Sequence, residues 1–288
     1  MIFFSIITPI YNRSYFIDKI YDSLKNQTYS NFEWIIIDDG SEDNLKNKIS
    51  DWNENFIKYK YINNSGKHVA VNLGIDLAKG DYSIILDSDD IPKKNALEIF
   101  NLEIINSNNK IQGIGCLVEN SKNNLIGSKL SKELSISILD FYSKKRMKGD
   151  KWFLFKTDIL KNNKFPIIDG EKFITEGIIH NRISRKNIKL KFINKILLKA
   201  FYNKDGYTAN KINLKKSNPF GYLIYYFENI TSKEFTFNKY YFYNLINIIV
   251  LILLKSKHPI KISIMFILAF PLGLLKYLFH IFSIIFKK

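Results

Sequence analysis

Cysteine is nearly absent: of 288 residues only Cys116 carries a thiol, so no internal disulfide can staple the fold. The opening Met1-Ile2-Phe3-Phe4-Ser5-Ile6-Ile7-Thr8-Pro9 lacks the positive leader and small-residue cleavage site of a secretory signal. Together these absences place the expected chemistry in the cytoplasm. Internal repeats and low-complexity linkers are also missing, and the composition is neither fibrous nor disordered. A clean membrane-spanning run is lacking as well. Tyr240 to Leu254 is apolar apart from asparagines but falls short of the roughly 20 residues a spanning helix needs. Ile262 to Phe286 is long enough, yet Pro271, Gly273, Lys276 and His280 interrupt it. That pattern suits a helix lying in the membrane interface with lysines at its margins; a packed helical pair and a true span are the alternatives.

What the chain does have is apolar mass, 46% hydrophobic residues with many aromatics, enough for a sizeable core. Its net charge of +16 is unevenly spread. Residues 1–120 hold 12 Lys/Arg against 17 Asp/Glu, whereas residues 121–288 hold 31 against 10. A basic second half suits an anionic membrane surface, a phosphate-bearing substrate or nucleic acid, and biased use of Lys, Asn and Ile would also raise it. The acidic first half would repel a polyanion, so no nucleic-acid partner is expected. The run Lys144, Lys145, Arg146, Lys148 is a solvated face or, if functional, a contact for a lipid-linked pyrophosphate or anionic head groups.

Phe3–Ile7 and Phe32–Ile37 are short, β-branched and aromatic runs ending in Pro or Asp-Gly-Ser, which predicts buried strands. Between them, Tyr15, Phe16, Ile20, Tyr21 and Leu24 share one face of a helix. The pattern repeats as a helix over His68–Ala78 and a strand over Tyr82–Leu86. Alternation of this kind predicts an α/β fold with a parallel sheet and functional loops at the strands' carboxyl ends. Farther on, helices are expected at Lys94–Asn106, Ile136–Tyr142 and Phe173–Ser184, with strands at Ile111–Val118, Trp152–Phe155 and Leu190–Phe201.

The acidic clusters fall at strand ends. Asp38-Asp39-Gly40-Ser41 offers carboxylates to a uracil imide or ribose hydroxyls, while Ser41 before Glu42 and Asp43 also reads as a helix N-cap. Asp87-Ser88-Asp89-Asp90 crowds three carboxylates that repel one another unless a cation neutralises them. Oxygen-rich clusters of this kind suit Mg²⁺ or Mn²⁺ bridged to a diphosphate, although a solvated turn would look the same. His180 reads as a packed or half-exposed helical residue, and His68 as either a phosphate contact or a surface group.

Four blocks in order resemble glycosyltransferase family 2 with its GT-A fold. They are Ser5-Ile6-Ile7-Thr8-Pro9-Ile10-Tyr11-Asn12-Arg13, Trp34 to Ser41, Gly66-Lys67-His68-Val69-Ala70-Val71-Asn72-Leu73-Gly74, and Leu86 to Asp90. The resemblance implies a Rossmann-like, mostly parallel central sheet flanked by helices, with a C-terminal helical segment that associates with a membrane. Residues 1–215 would form the catalytic domain, 1–92 its nucleotide-binding half and 93–215 its acceptor-binding half, followed by an amphipathic region at 216–288. It further implies that Pro9, Tyr11 and Asp39 hold the uracil, with Asn12 and Arg13 beside them, and that Lys67 and Asn72 lie near the phosphates and ribose. Asp87 and Ser88 would contact the nucleotide sugar, and Asp89 would ligate Mn²⁺ or Mg²⁺.

The likeness continues through Gly149-Asp150-Lys151-Trp152, Phe165-Pro166, Asp169 to Glu176, Asn181-Arg182, Tyr202, Asp205-Gly206-Tyr207-Thr208 and Asn218-Pro219, as in capsule and lipopolysaccharide members. Asp150 joins the donor-binding set on this basis. Where that subgroup often carries two adjacent acids, this chain has Glu176-Gly177, which leaves Glu176 as the catalytic base. The resemblance thus implies an inverting, metal-dependent transfer of a sugar from a UDP-sugar to a bacterial surface glycan. The acceptor would be lipid-linked and the enzyme peripheral on the cytoplasmic face of the inner membrane. Transfer to polyprenyl phosphate and a degenerate, non-catalytic membrane scaffold are the alternatives within the family, and a basic nucleic-acid-binding protein is the alternative outside it.

Overall fold

The computed structural model describes residues 1–202, 210–231 and 239–255. The chain divides into two compact units, Met1–Asn210 and Lys211–Lys288.

The first unit opens with β1 (Phe4–Ile10), α1 (Ser14–Lys25), β2 (Phe32–Asp39), α2 (Leu45–Ser50), β3 (Ile57–Ile62), α3 (Lys67–Leu77) and β4 (Tyr82–Ile85). These four strands pair in parallel in the order β3-β2-β1-β4. β1 and β2 are buried along their whole length, which explains why their sequences are continuous apolar runs rather than alternating ones. α1 buries Phe16, Ile17, Ile20 and Leu24, the stripe expected of its 3.6-residue period. α3 lies close on β1: a Cβ at Gly74 would stand 2.3 Å from Ile7 Cγ2, so only glycine fits there.

The chain continues through β5 (Ile91–Pro92), α4 (Ala96–Ile105), β6 (Gly113–Asn120), β7 (Leu134–Ile136), α5 (Ile138–Ser143), β8 (Lys151–Lys156), α6 (Thr157–Lys161), α7 (Gly177–Arg185) and β9 (Leu190–Ala200). Here the sheet becomes mixed, although six of its nine strands run in one sense. β8 runs antiparallel to both β4 and β6, and β5 and β7 run antiparallel to β9, so only β6 and β9 continue the parallel sense. The sheet has nine strands, with β4-β8-β6-β9-β5 completing the row and β7 beside β9. One consequence matters for the site. The start of β8 and the ends of β4 and β9 all lie on one edge of the sheet, alongside the ends of β1 and β2.

Two buried polar clusters fix this frame. Glu33 takes hydrogen bonds from Ser5 Oγ at 2.6 Å and Lys79 N–H at 2.7 Å, and pairs with Lys58. Trp34 Nε1 donates to Thr8 Oγ1 at 2.9 Å across the β1–β2 pair.

The second unit holds α8 (Lys211–Ser217), α9 (Pro219–Thr231) and α10 (Lys239–Lys255). Tyr225 and Tyr226 of α9 meet Tyr241 of α10 edge-on, and Lys215 Nζ bonds Asn244 Oδ1 at 2.7 Å. Among the described residues no helix is long and apolar enough to cross a membrane. The apolar run Ile262 to Phe286 and the Asp205-Gly206-Tyr207-Thr208 stretch lie outside the described residues.

Candidate active site

The site gathers at the sheet edge where β1, β2 and β4 end. β1 delivers buried Pro9 and then exposed Tyr11. Asn12 follows in the left-handed region at φ 50°, a conformation asparagine tolerates better than most residues. Its N–H donates to Ser41 Oγ at 2.9 Å and its Oδ1 accepts from Glu42 N–H at 2.8 Å, tying the β1 and β2 exits together. Ser41 therefore serves this link and is not a helix cap. α2 begins at Leu45, without a side-chain cap.

Asp38 accepts from Ser41 N–H at 2.7 Å and from the Tyr59 hydroxyl at 2.6 Å. Asp39 is buried, and its two oxygens accept the N–H groups of Ser65 and Gly66 at 2.7 and 2.8 Å. Burial pushes its pKa up against the pull of those two donors. Each oxygen retains a further lone pair for a ligand. Asp39 thus braces the turn that launches α3. Gly66 has φ 101°, and a Cβ there would meet the Lys172 carbonyl oxygen at 2.3 Å, so the 170–176 segment can pass directly over it.

That passage brings Glu176 to the first residue of α3. Lys67 Nζ stands 2.7 Å from both Asp87 Oδ1 and Glu176 Oε1, a bridge between the β4 exit and the residue just before α7. Burial disfavours the ammonium, but the two carboxylates outweigh it and hold its pKa well above that of an ordinary lysine. Lys67 in turn lowers the pKa of Glu176 against the opposing effect of burial. Beside them Arg13 Nη1 contacts Asp89 Oδ2 at 2.5 Å. Burial raises the pKa of Asp87, and burial with the neighbouring Asp87 and Asp89 charges raises that of Asp90 well above the usual range. Ser88 is buried between them.

Among the described residues no three His, Cys, Asp or Glu side chains are arranged to hold a metal by themselves. The donor set nevertheless fits a hard divalent cation shared with a nucleotide, because such ions take one or two carboxylates and complete their shell with phosphate and water oxygens. The mutual repulsion at 87–90 is what such a cation would relieve.

Not every expected residue joins this cluster. The Asn72 amide is occupied by Phe165, Nδ2 donating to its carbonyl and Oδ1 accepting its N–H, both at 2.9 Å. It clamps the 165 loop onto α3. His68 is buried with Phe165 beside it rather than at the surface, and burial lowers its pKa. His180 packs on Phe153 and Phe155, as a helical residue of that kind should. Asp150 lies at the start of β8 and accepts the Tyr202 hydroxyl at 2.8 Å. Lys144, Lys145, Arg146 and Lys148 stand exposed, with Lys144 paired to Asp140 one turn away. Tyr59, whose hydroxyl donates to Asp38, belongs to none of the sequence motifs; the alternation of Ile57, Tyr59 and Tyr61 with lysines is the signal that marks its strand.

A mixed sheet with acidic turns at one end of its strands, flanked by helices, is an α/β fold that solved structures share. The S. aureus protein TarS, as its 1–349 fragment in complex with UDP-GlcNAc, aligns with a TM-score of 0.61 at 16% identity, covering 88% of this chain and 74% of that one. Mannosyltransferase PcManGT from Pyrobaculum calidifontis, in complex with GDP-Man and Mn²⁺, aligns at 0.54 and 16% identity, covering 94% and 80%. Residues 5–162 match the model of glycosyl transferase family 2, and the chain belongs to that family.

Curated relatives include the Campylobacter jejuni GalNAc(5)-diNAcBac-PP-undecaprenol beta-1,3-glucosyltransferase, 30% identical over 168 residues, 56% of this chain and 54% of that protein. Glycosyltransferase GlyG of Streptococcus pneumoniae is 40% identical over 98 residues, 33% and 32% of the two chains. The matches therefore span between a third and about half of these relatives' length.

Proposed function

We propose that this chain transfers a sugar, with inversion, from a UDP-sugar to a hydroxyl of a bacterial surface glycan carried on a lipid. The observation that carries the reading is the Lys67 bridge, which holds a carboxylate from the acceptor half, Glu176, against the donor-side Asp87. Pro9, Tyr11 and Asp39 hold the uracil, Asn12 fixes their spacing, and Arg13 keeps Asp89 in place. Support for a UDP donor comes from the UDP-GlcNAc complex of TarS, and for a lipid-linked acceptor from the Campylobacter relative's name.

Glu176, kept ionised by Lys67, takes the proton of the acceptor hydroxyl. That oxygen bonds the anomeric carbon from the face opposite the diphosphate, the bond to the β-phosphate oxygen breaks, and its electron pair leaves with UDP. Mn²⁺ or Mg²⁺, held by Asp89 together with diphosphate oxygens, would neutralise the charge that grows on this leaving group. The lysine-bordered C-terminal region would hold the enzyme at the cytoplasmic face of the inner membrane, where a polyprenyl-linked acceptor lies.

The test is Glu176→Gln assayed with a panel of UDP-sugars and a lipid-linked acceptor. Transfer should fall by on the order of 10²–10⁴, while UDP with Mn²⁺ still raises the melting temperature. Undiminished transfer in that variant would point instead to a phosphate acceptor, which needs no strong base.

A further inference from the structure

The sheet edge does not end at the acidic turn. Because β8 runs antiparallel to β4, its start at Asp150 lies beside the β4 exit, and because β9 runs parallel to β6, its end brings Tyr202 to the same edge. Phe201 N–H donates to Asp90 Oδ1 at 3.3 Å, which fastens this corner to the 87–90 turn. Asp38, Asp39 and Tyr11 lie on the other side of that turn, at the ends of β2 and β1. The corner is therefore separated from the uracil side by the acidic turn.

Its chemistry is that of a sugar platform. Tyr202 is 53% exposed although aromatic, and its hydroxyl is fixed by Asp150 Oδ2 at 2.8 Å, so the ring is presented in one orientation. Tyr142 at the end of α5 is 37% exposed, and its hydroxyl donates to the carbonyl of Gly149, the residue before Asp150, at 3.3 Å. An aromatic face takes the apolar C–H side of a pyranose, and a carboxylate accepts hydrogen bonds from its hydroxyls.

We propose that Tyr202, Asp150 and Tyr142 form the subsite for the pyranose ring of the acceptor, with Tyr202 as stacking platform and Asp150 as hydroxyl acceptor. This rests on the glycosyltransferase reading above and assigns Asp150 to the acceptor rather than the donor.

The experiment is saturation-transfer NMR on the full chain with diamagnetic Mg²⁺ and UDP present. The probes are methyl β-D-glucopyranoside, methyl β-D-galactopyranoside and methyl N-acetyl-β-D-glucosaminide. At least one glycoside should receive saturation, strongest on the ring C–H protons of one face. The signal should be lost in Tyr202→Ala, retained in Tyr202→Trp, and weakened severalfold in Asp150→Asn. UDP binding is followed in the same samples by melting temperature. A wild-type chain that binds UDP but no glycoside, or a glycoside signal that survives Tyr202→Ala, overturns the subsite. A wild-type chain that does not bind UDP overturns the donor reading instead.

Discussion

Lys67 and Glu176 lie 109 positions apart in the chain and 2.7 Å apart in the fold. The contact exists because Gly66 lets the 170–176 segment cross the start of α3. In the proposed mechanism Lys67 keeps Glu176 ionised and aimed. Lys67→Met should therefore lower kcat/KM by on the order of 10²–10³, as loss of one preorganised charge partner does. It should also move the acidic limb of the pH–rate profile to higher pH, because the pKa of Glu176 rises when the ammonium is removed. A pH profile that keeps its acidic limb in place would show that Lys67 acts on the donor alone.

Asn72 separates a structural from a ligand-binding role. Both ends of its amide hold the Phe165 backbone, so Asn72→Ala leaves one buried N–H and one buried carbonyl unpaired. Stability should fall by about 2–6 kcal/mol, from roughly 1–3 kcal/mol for each of the two orphaned groups. Urea unfolding measures this. KM for the donor should change little in protein that remains folded.

Glu33 predicts how the fold responds to acid. Burial raises its pKa, but Lys58, Ser5 and the Lys79 N–H together hold it below the ordinary value. A depressed carboxylate contributes stability that is fully present above its unfolded pKa and is lost as pH falls through the folded one. Urea midpoints should accordingly drop below about pH 4.5, the ordinary glutamate range. Glu33→Gln should be less stable at neutral pH by about 1–3 kcal/mol and show a flatter acid limb. An unchanged acid limb would assign the loss to other carboxylates.

The strands and helices that were legible are those whose period is sustained. β1 and β2 are unbroken apolar runs, and α1 repeats its stripe for three turns. β3 went unread because its Lys58 and Lys60 put charge into a half-buried edge strand, and α6 because five residues carry no period. α7 begins at Gly177, four residues later than the apolar pattern from Phe173 implies, since the chain just before it is drawn out across Gly66. β8 was legible as a strand at Trp152–Phe155, but its antiparallel sense was not, because a buried strand reads the same in either direction.

At the site, strand ends marked the Asp38–Asp39 and Asp87–Asp90 turns, whereas Lys67 was singled out by the family resemblance. Neither signal revealed that Arg13 contacts Asp89, that Lys67 joins Asp87 to Glu176, and that Asn72 is spent on Phe165. Those are long-range pairings, fixed by packing rather than by any local pattern.

The central claim is that Asp89 and a divalent cation together make UDP a leaving group, and an Mn²⁺ titration of UDP release from a panel of UDP-sugars tests it most directly. Wild-type turnover should rise saturably with Mn²⁺ and vanish in chelator. Asp89→Ala should be slower by on the order of 10²–10³ at every metal concentration, with the melting temperature of the metal-free protein kept. Turnover that is undiminished in chelator, or near normal in Asp89→Ala, would contradict the account.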